Sequence, residues 1–219
     1  MVKPRIVETN TGIQDEWIAG EYDKMMRIDR DKGILYTNDI IKYGINKGYA
    51  LEIGPGPGYL GLEWVTKTQN TNLTGIDISE CMVRIAVKNA EEYGFSDKRV
   101  KYIHGDAHKL PFDNENFDGV FSNATLHELA DPVKALNEVY RILKPGGKYY
   151  ISDLRRDMNP VISYFMKKST KSRELVTGLI SSINASYTKR ETEDLLVNTD
   201  LKVYKITTNP FSIFVKGIK

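Results

Sequence analysis

The sequence predicts a three-layer α/β fold: one mostly parallel sheet with helices on both faces. Three observations predict it. Five short apolar runs between residues 49 and 152 are interleaved with stretches of helical spacing. A glycine-rich turn, Glu52-Ile53-Gly54-Pro55-Gly56-Pro57-Gly58, joins the first run to a helical stretch. Two final runs, 201–207 and 211–218, flank Thr208-Asn209-Pro210 and read as an antiparallel hairpin.

Residues 1–14 read as irregular. Trp17, Ile18, Tyr22, Met25, Met26 and Ile28 place a helix over 15–31. Ile34, Leu35, Ile40, Ile41 and Ile45 place a second over 33–46, with Gly48 ending it. The first strand is about 49–53, and the helix after the glycine turn runs to about Thr68. Gln69-Asn70-Thr71-Asn72 is a turn before the second strand, 73–78. Ser79 suits the N-cap of a helix carrying Met82, Ile85 and Ala86. Strands 100–104 and 117–122 follow. Pro132 opens a helix to about Leu143, and Lys144-Pro145-Gly146-Gly147 stops it before the fifth strand, 148–152. Residues 154–186 break the rhythm as a helical insert. Thr188, with Glu191 three residues on, forms a capping box for a helix through Asn198.

The 219 residues suffice for one good-sized domain, and 41% apolar with 27% charged residues is ordinary for a soluble globular chain. No run approaches the ~18 apolar residues of a membrane helix. Met1 to Gln14 lacks an apolar core, so no signal peptide is expected. The single cysteine, Cys81, fits a reducing cytoplasm and is expected to be buried. A formal charge of +2 does not by itself call for a nucleic-acid partner.

Ligands of such sheets bind at the C-terminal ends of the strands. Glu52, Asp77, Asp106 and Asn123 all fall at or just after predicted strand ends. Gly56-Pro57-Gly58-Tyr59-Leu60-Gly61 matches G-x-G-x-x-G, and Asp77 lies 16 residues after Gly61, so an NAD-dependent oxidoreductase is one reading. Pro55 and Pro57 weaken it, because they have no N–H to offer a pyrophosphate, and Glu52 adds negative charge. A cationic nucleoside without phosphate, S-adenosylmethionine, is the other. Asp77 would accept from both ribose hydroxyls, while Ile78 and Met82 cover the adenine. Asp106 would accept from the adenine amino group and the Ala107 N–H donate to a ring nitrogen. Glu52, with carbonyls near Gly54 and Asn123, would take the ammonium.

At these residues the chain resembles the class I S-adenosylmethionine-dependent methyltransferases, in the branch of the ubiquinone/menaquinone-biosynthesis enzymes. Ala50–Gly58 resembles the first motif, with Gly54, Gly56 and Gly58 as its glycines, and Gly75–Ser79 resembles the second. Gly105-Asp106-Ala107 with Leu110-Pro111-Phe112, Phe117–Asn123 and Arg141–Lys148 resemble the next three. The resemblance covers about 33–153 and implies a Rossmann-like sheet of seven strands with the last antiparallel. It implies one domain in four parts: an N-terminal helical lid (1–32), a cofactor-binding core (33–153), a helical insert over the acceptor (154–186), and a C-terminal helix with hairpin (187–219). In such proteins the N-terminal helix folds over the cofactor, so Tyr22 would reach its carboxylate, and Tyr187 is a second lid candidate.

Methyl transfer from a sulfonium is an in-line displacement in which the protein mainly aligns reactants. His127, after the fourth strand, is the candidate base; capping of a short helix is its other reading. His104 and His108 read as structural, Tyr59 and Trp64 as core. No His, Cys or carboxylate cluster shows metal-ligand spacing, so no metal is expected. Asn123 is followed by Ala124-Thr125-Leu126 rather than the Pro-Pro-aromatic sequence used on exocyclic amines. Residues 154–190 hold eight basic residues, Arg155, Arg156, Lys167, Lys168, Lys171, Arg173, Lys189 and Arg190, against Asp157 and Glu174. They read as a solvated face or as a lid over an anionic acceptor. Phe165, Met166 and the Leu175–Ile180 group would face the core, an apolar acceptor or a second copy. The expected partner is a small-molecule acceptor, with nucleic acid disfavoured, a homodimer left open, and a non-catalytic cofactor-binding protein as a further alternative.

Overall fold

The computed structural model describes residues 3–8, 12–170 and 172–219. Seven strands form one sheet: β1 (Gly48–Ile53), β2 (Thr71–Asp77), β3 (Val100–His104), β4 (Phe117–Asn123), β5 (Leu143–Leu154), β6 (Tyr204–Thr208) and β7 (Ser212–Ile218). Their order is β3-β2-β1-β4-β5-β7-β6. The first five run parallel, and β7 pairs antiparallel with both β5 and β6. The order reverses between β1 and β4, which opens a crevice at their C-terminal ends.

Adjacent residues on the central strands enter opposite cores. Leu51, Val120, Tyr149 and Val215 join one apolar cluster, with Leu136, Val139 and Leu196 from the helices over it. Their neighbours Ala50, Phe121, Tyr150 and Phe214 join the other, with Leu62, Trp64 and Ala86. Both faces are covered, so these strands read as continuous apolar runs rather than as alternation. The helices are α1 (Glu16–Asp31), α2 (Thr37–Tyr43), α3 (Tyr59–Lys67), α4 (Glu80–Glu92), α5 (Pro132–Ile142), α6 (Pro160–Ser169), α7 (Arg173–Ala185) and α8 (Lys189–Val197). Ser79 caps α4 and the Thr188–Glu191 capping box opens α8, as the sequence predicts.

Several boundaries differ from the reading above, among them α2, which starts at Thr37, and β6, which starts at Tyr204. Helix α2 ends at Tyr43, because Gly44 takes the left-handed cap (φ +99°), and Gly48 instead begins β1. Thr71 and Asn72 already belong to β2, leaving the tight turn at Asn70 (φ +52°). Lys144–Gly147 does not separate α5 from a later strand: β5 starts at Leu143 and the four residues bulge out, between the pairs Phe117↔Leu143 and Gly119↔Lys148. Among the described residues no helix is long and apolar enough to cross a membrane.

Candidate active site

The ends of β1, β2 and β4, with the loop after β3, open into one cavity of about 660 Å³. Of the residues chosen from the sequence for cofactor binding, all but Gly58 line it. Gly58 is required by packing: it caps α3 at φ +87°, and a Cβ there would stand 2.6 Å from the Tyr102 hydroxyl oxygen. A shallower hollow of about 890 Å³ lies over α5, but its Glu138 and Arg141 already pair with each other and it holds none of the β1, β2 or β4 end residues.

The amides of the glycine turn are all engaged. Gly54 N–H donates to the Ile76 carbonyl (2.9 Å), Gly56 to Asp77 Oδ2 (3.0 Å) and Gly58 to the Pro55 carbonyl (2.9 Å). Pro55 and Pro57 have no N–H. Gly54 and Gly56 have φ of +64° and +52°, and a Cβ on Gly54 would lie 2.2 Å from Thr125 Oγ1, so the turn admits neither a side chain nor an ordinary backbone there. The other Asp77 oxygen, Oδ1, accepts from Ser79 N–H (2.9 Å), so one carboxylate ties the turn to the cap of α4.

Glu52 is 2% exposed; Gly61 N–H serves its carboxyl, while Oε2 has no hydrogen-bond partner among the described residues. Burial, reinforced by the charge of Asp77, pushes its carboxyl well above the usual range. Asp77 is also raised, mainly by burial. Tyr22 of α1 leans over the turn, its ring carbon 3.5 Å from where a Gly56 Cβ would be, and burial holds its phenol protonated.

Past β4 the chain turns sharply. Ala124 takes φ +54°, a conformation that L side chains rarely adopt, and its N–H donates to the Ser152 carbonyl (2.9 Å). Asn123 Oδ1 accepts from Ser152 Oγ (2.8 Å). The 3-10 turn Leu126–Glu128 then sets His127 against Asp153 at the end of β5. Asp153 Oδ2 accepts from the His127 backbone N–H and Oδ1 from its ring Nδ1, both at 2.7 Å. A carboxylate only accepts, so Nδ1 carries hydrogen and Nε2 is the nitrogen facing the cavity.

Residues 51–151 match the family of the methyltransferase domain. Over 208 residues the chain is 30% identical to phosphoethanolamine N-methyltransferase 2 of Caenorhabditis elegans, covering 86% of this chain and 45% of that protein. It is 27% identical to the demethylmenaquinone methyltransferase of Roseiflexus castenholzii over 67% of this chain and 61% of that one. A Methanococcus maripaludis structure assigned to the S-adenosylmethionine-dependent methyltransferases superposes with a TM-score of 0.73 at 26% identity, covering 98% of this chain and 97% of that chain. Over this core the chain is similar to S-adenosylmethionine-dependent methyltransferases. It spans about half the length of the curated relatives it matches.

Electrostatics divide the cavity. Burial alone would lower His127, but Asp153, Glu128 and Glu8 outweigh it and raise the ring to about 9. Burial raises Glu128 to about 7, against the pull of His127. Asp106 is held below its ordinary range, because the His108 amide and ring, both bonded to Oδ1, outweigh its burial. His108 thus shapes the wall, and His104 bonds the Ile78 carbonyl (3.2 Å). Tyr59, Trp64 and Cys81 are buried in the core. Tyr187 is buried under the Arg5 guanidinium (4.2 Å) and does not line the cavity, so it is no lid residue.

From the insert, Glu174, Leu175, Gly178 and Leu179 of α7 line the cavity. Ile180 points outward, and Phe165, with Val161 and Tyr164, is about three-fifths exposed rather than facing the core. Arg155 is consumed by Asp157, and Arg156 by Glu191 and backbone carbonyls, while Lys171 lies outside the described residues. Sequence reasoning missed Asp153 and Glu8. Asp153 sits near the end of β5 and was reachable by the strand-end rule; Glu8 gave no local signal.

Proposed function

We propose that this protein binds S-adenosylmethionine in the cavity at the ends of β1 and β2 and transfers its methyl group to a small-molecule acceptor under α7, in the cytoplasm. The observation that carries the proposal is the state of the glycine turn. Gly54, Gly56 and Gly58 have no amide left for a pyrophosphate, and the two prolines never had one. Beside that turn lies the unpartnered Oε2 of buried Glu52, which a cationic group would satisfy. An NAD-type ligand meets the opposite of what it needs.

S-adenosylmethionine supplies a methyl group already activated on a sulfonium. The work left to the chain is alignment and exclusion of water. Asp77 offers its remaining lone pairs to the ribose, Ile78 and Met82 cover the base, and Asp106 with the Ala107 amide reads its edge. Glu52 and Asn123 serve the amino-acid end, and Tyr22 closes over it. His127 stands on the acceptor side, with Nε2 toward the substrate. With its ring raised to about 9, it acts at neutral pH as an orienting cation rather than as a ready base. Relatives acting on phosphoethanolamine and on demethylmenaquinone support a small acceptor without choosing one.

Calorimetric titration tests this. S-adenosylmethionine and its demethylated product are expected to bind with micromolar-range affinity, and NAD not to bind. Binding of NAD with indifference to S-adenosylmethionine would overturn the proposal. A labelled donor incubated with cell extract should then mark the small-molecule fraction rather than protein or nucleic acid.

A further inference from the structure

Glu8, His127 and Glu128 bring three ligand atoms within 4.8 Å of one another, in the acceptor half of the cavity. His127 Nε2 lies 3.5 Å from Glu8 Oε2 and 4.0 Å from Glu128 Oε1. The ring is 2% exposed, and Nε2 has no hydrogen-bond partner among the described residues. A buried nitrogen aimed between two carboxylates asks for something to fill the gap.

The supports behind these groups point to what fills it. Asp153 holds Nδ1–H at 2.7 Å, which fixes the ring and leaves Nε2 facing the two carboxylates, where an ion would take the place of its proton. A carboxylate behind a histidine is how metal-binding imidazoles are oriented. Ser182 Oγ donates to the same Glu8 oxygen, Oε2, that faces His127 (3.4 Å). The segment that carries Glu8 is itself tied down: Arg5 donates to the carbonyls of His127 and Ala185, and Ile6 N–H to that of Asn184 (3.1 Å). Ligands about 2.0–2.2 Å from a tetrahedral ion stand about 3.3–3.6 Å apart. The His127–Glu8 separation already fits, and Glu128, one-third exposed, has freedom to close its own gap.

We infer that Glu8, His127 and Glu128 form a binding site for a divalent transition-metal ion, with one imidazole nitrogen and two carboxylate oxygens as ligands and the open positions facing the acceptor. Nitrogen–oxygen donors of this kind suit zinc, manganese, iron(II) or cobalt(II). Three protein ligands leave room for a heteroatom of the acceptor, which the ion would hold in front of the methyl donor. The inference rests on the acceptor half of the cavity and does not depend on which nucleoside fills the other half.

The test uses the full chain, stripped with a chelator and titrated with Zn²⁺ and Co²⁺ by calorimetry and by visible absorption of the cobalt form. One ion per chain is expected. Glu8→Gln and His127→Ala should each weaken it at least tenfold, and Asp153→Asn by roughly 10–100-fold through the lost orientation of the ring. Circular dichroism and S-adenosylmethionine titration of the same variants separate a lost ion site from a lost fold or a failed cofactor assignment. Absence of stoichiometric binding, or unchanged affinity in a folded Glu8→Gln variant, would overturn the inference and leave the cluster a buried ion triad.

Discussion

Asp77 serves two amides of its own chain before any ligand arrives: Gly56 on one oxygen and Ser79 on the other. Its removal therefore loosens the glycine turn as well as deleting contacts to a ribose. Asp77→Asn keeps the shape but can accept on only one atom. It should weaken S-adenosylmethionine binding by roughly 1–3 kcal/mol, the range for hydrogen bonds to a charged group. Calorimetry on the folded variant checks this, and unchanged affinity would remove Asp77 from the site. Glu52 and Asp77 were legible from the sequence because one lies within the glycine turn and the other ends a predicted strand. Asp153 was open to the same strand-end rule, but Glu8 was not, because it reaches His127 only through the docking of the N-terminal segment on α7. No spacing rule sees contacts of that separation.

Helix α1 covers the cavity yet is held mainly by polar contacts. Of its residues only Ala19 is fully buried, with Tyr22 and Met26 packed half-buried beside it. Asp23 accepts from Tyr59 and Asn89, Arg27 meets Glu92, and Arg30 meets Tyr93. An element with so little buried apolar area opens at low free energy. Asp15 caps it through Ile18 N–H (2.9 Å), so Asp15→Ala should cost α1 about 1 kcal/mol. The expected result is faster hydrogen exchange in α1 and weaker cofactor binding, with the global melting point nearly unchanged; a matching fall in the global melting point would mean that α1 is no lid. At this scale the sequence was legible wherever a cap or a proline fixed the start, as at Ser79, Pro132 and Thr188. It misled at Gly48 and at Lys144–Gly147, where the choice between a cap, a strand start and a bulge is made by the neighbouring strands.

For the molecule as a whole, the raised carboxyl of Glu52 couples stability to pH. The folded chain holds that proton more tightly than the unfolded chain, whose Glu titrates near 4.5. The stabilisation is thus complete below 4.5 and is lost as pH rises through the folded value. Glu52→Gln removes the titration. At pH 8 the cofactor-free variant should be more stable than the parent by roughly 1–3 kcal/mol, about 2–4 °C in Tm per kcal/mol for this size of chain. The gap should shrink towards pH 4.5 and reverse when S-adenosylmethionine is added. A Tm difference independent of pH would show that Glu52 does not titrate in this way. The sheet was legible at this scale because both faces are apolar; its strand order was not, since five similar runs do not say which neighbours they choose.

That order has a consequence for how the site comes into being. β7, the last strand in the chain, fills an interior slot and pairs with β5 from Lys148↔Ile218 to Leu154↔Ser212. Until residues 212–218 have been made, β5 is an open edge, prone to pairing with other chains. Its tip carries Ser152 and Asp153, the groups that position Asn123 and His127. The glycine turn and Asp77 depend only on β1 and β2, which pair locally and can form early. The nucleoside half of the cavity can therefore mature while the chain is still emerging, and the acceptor half becomes ordered last.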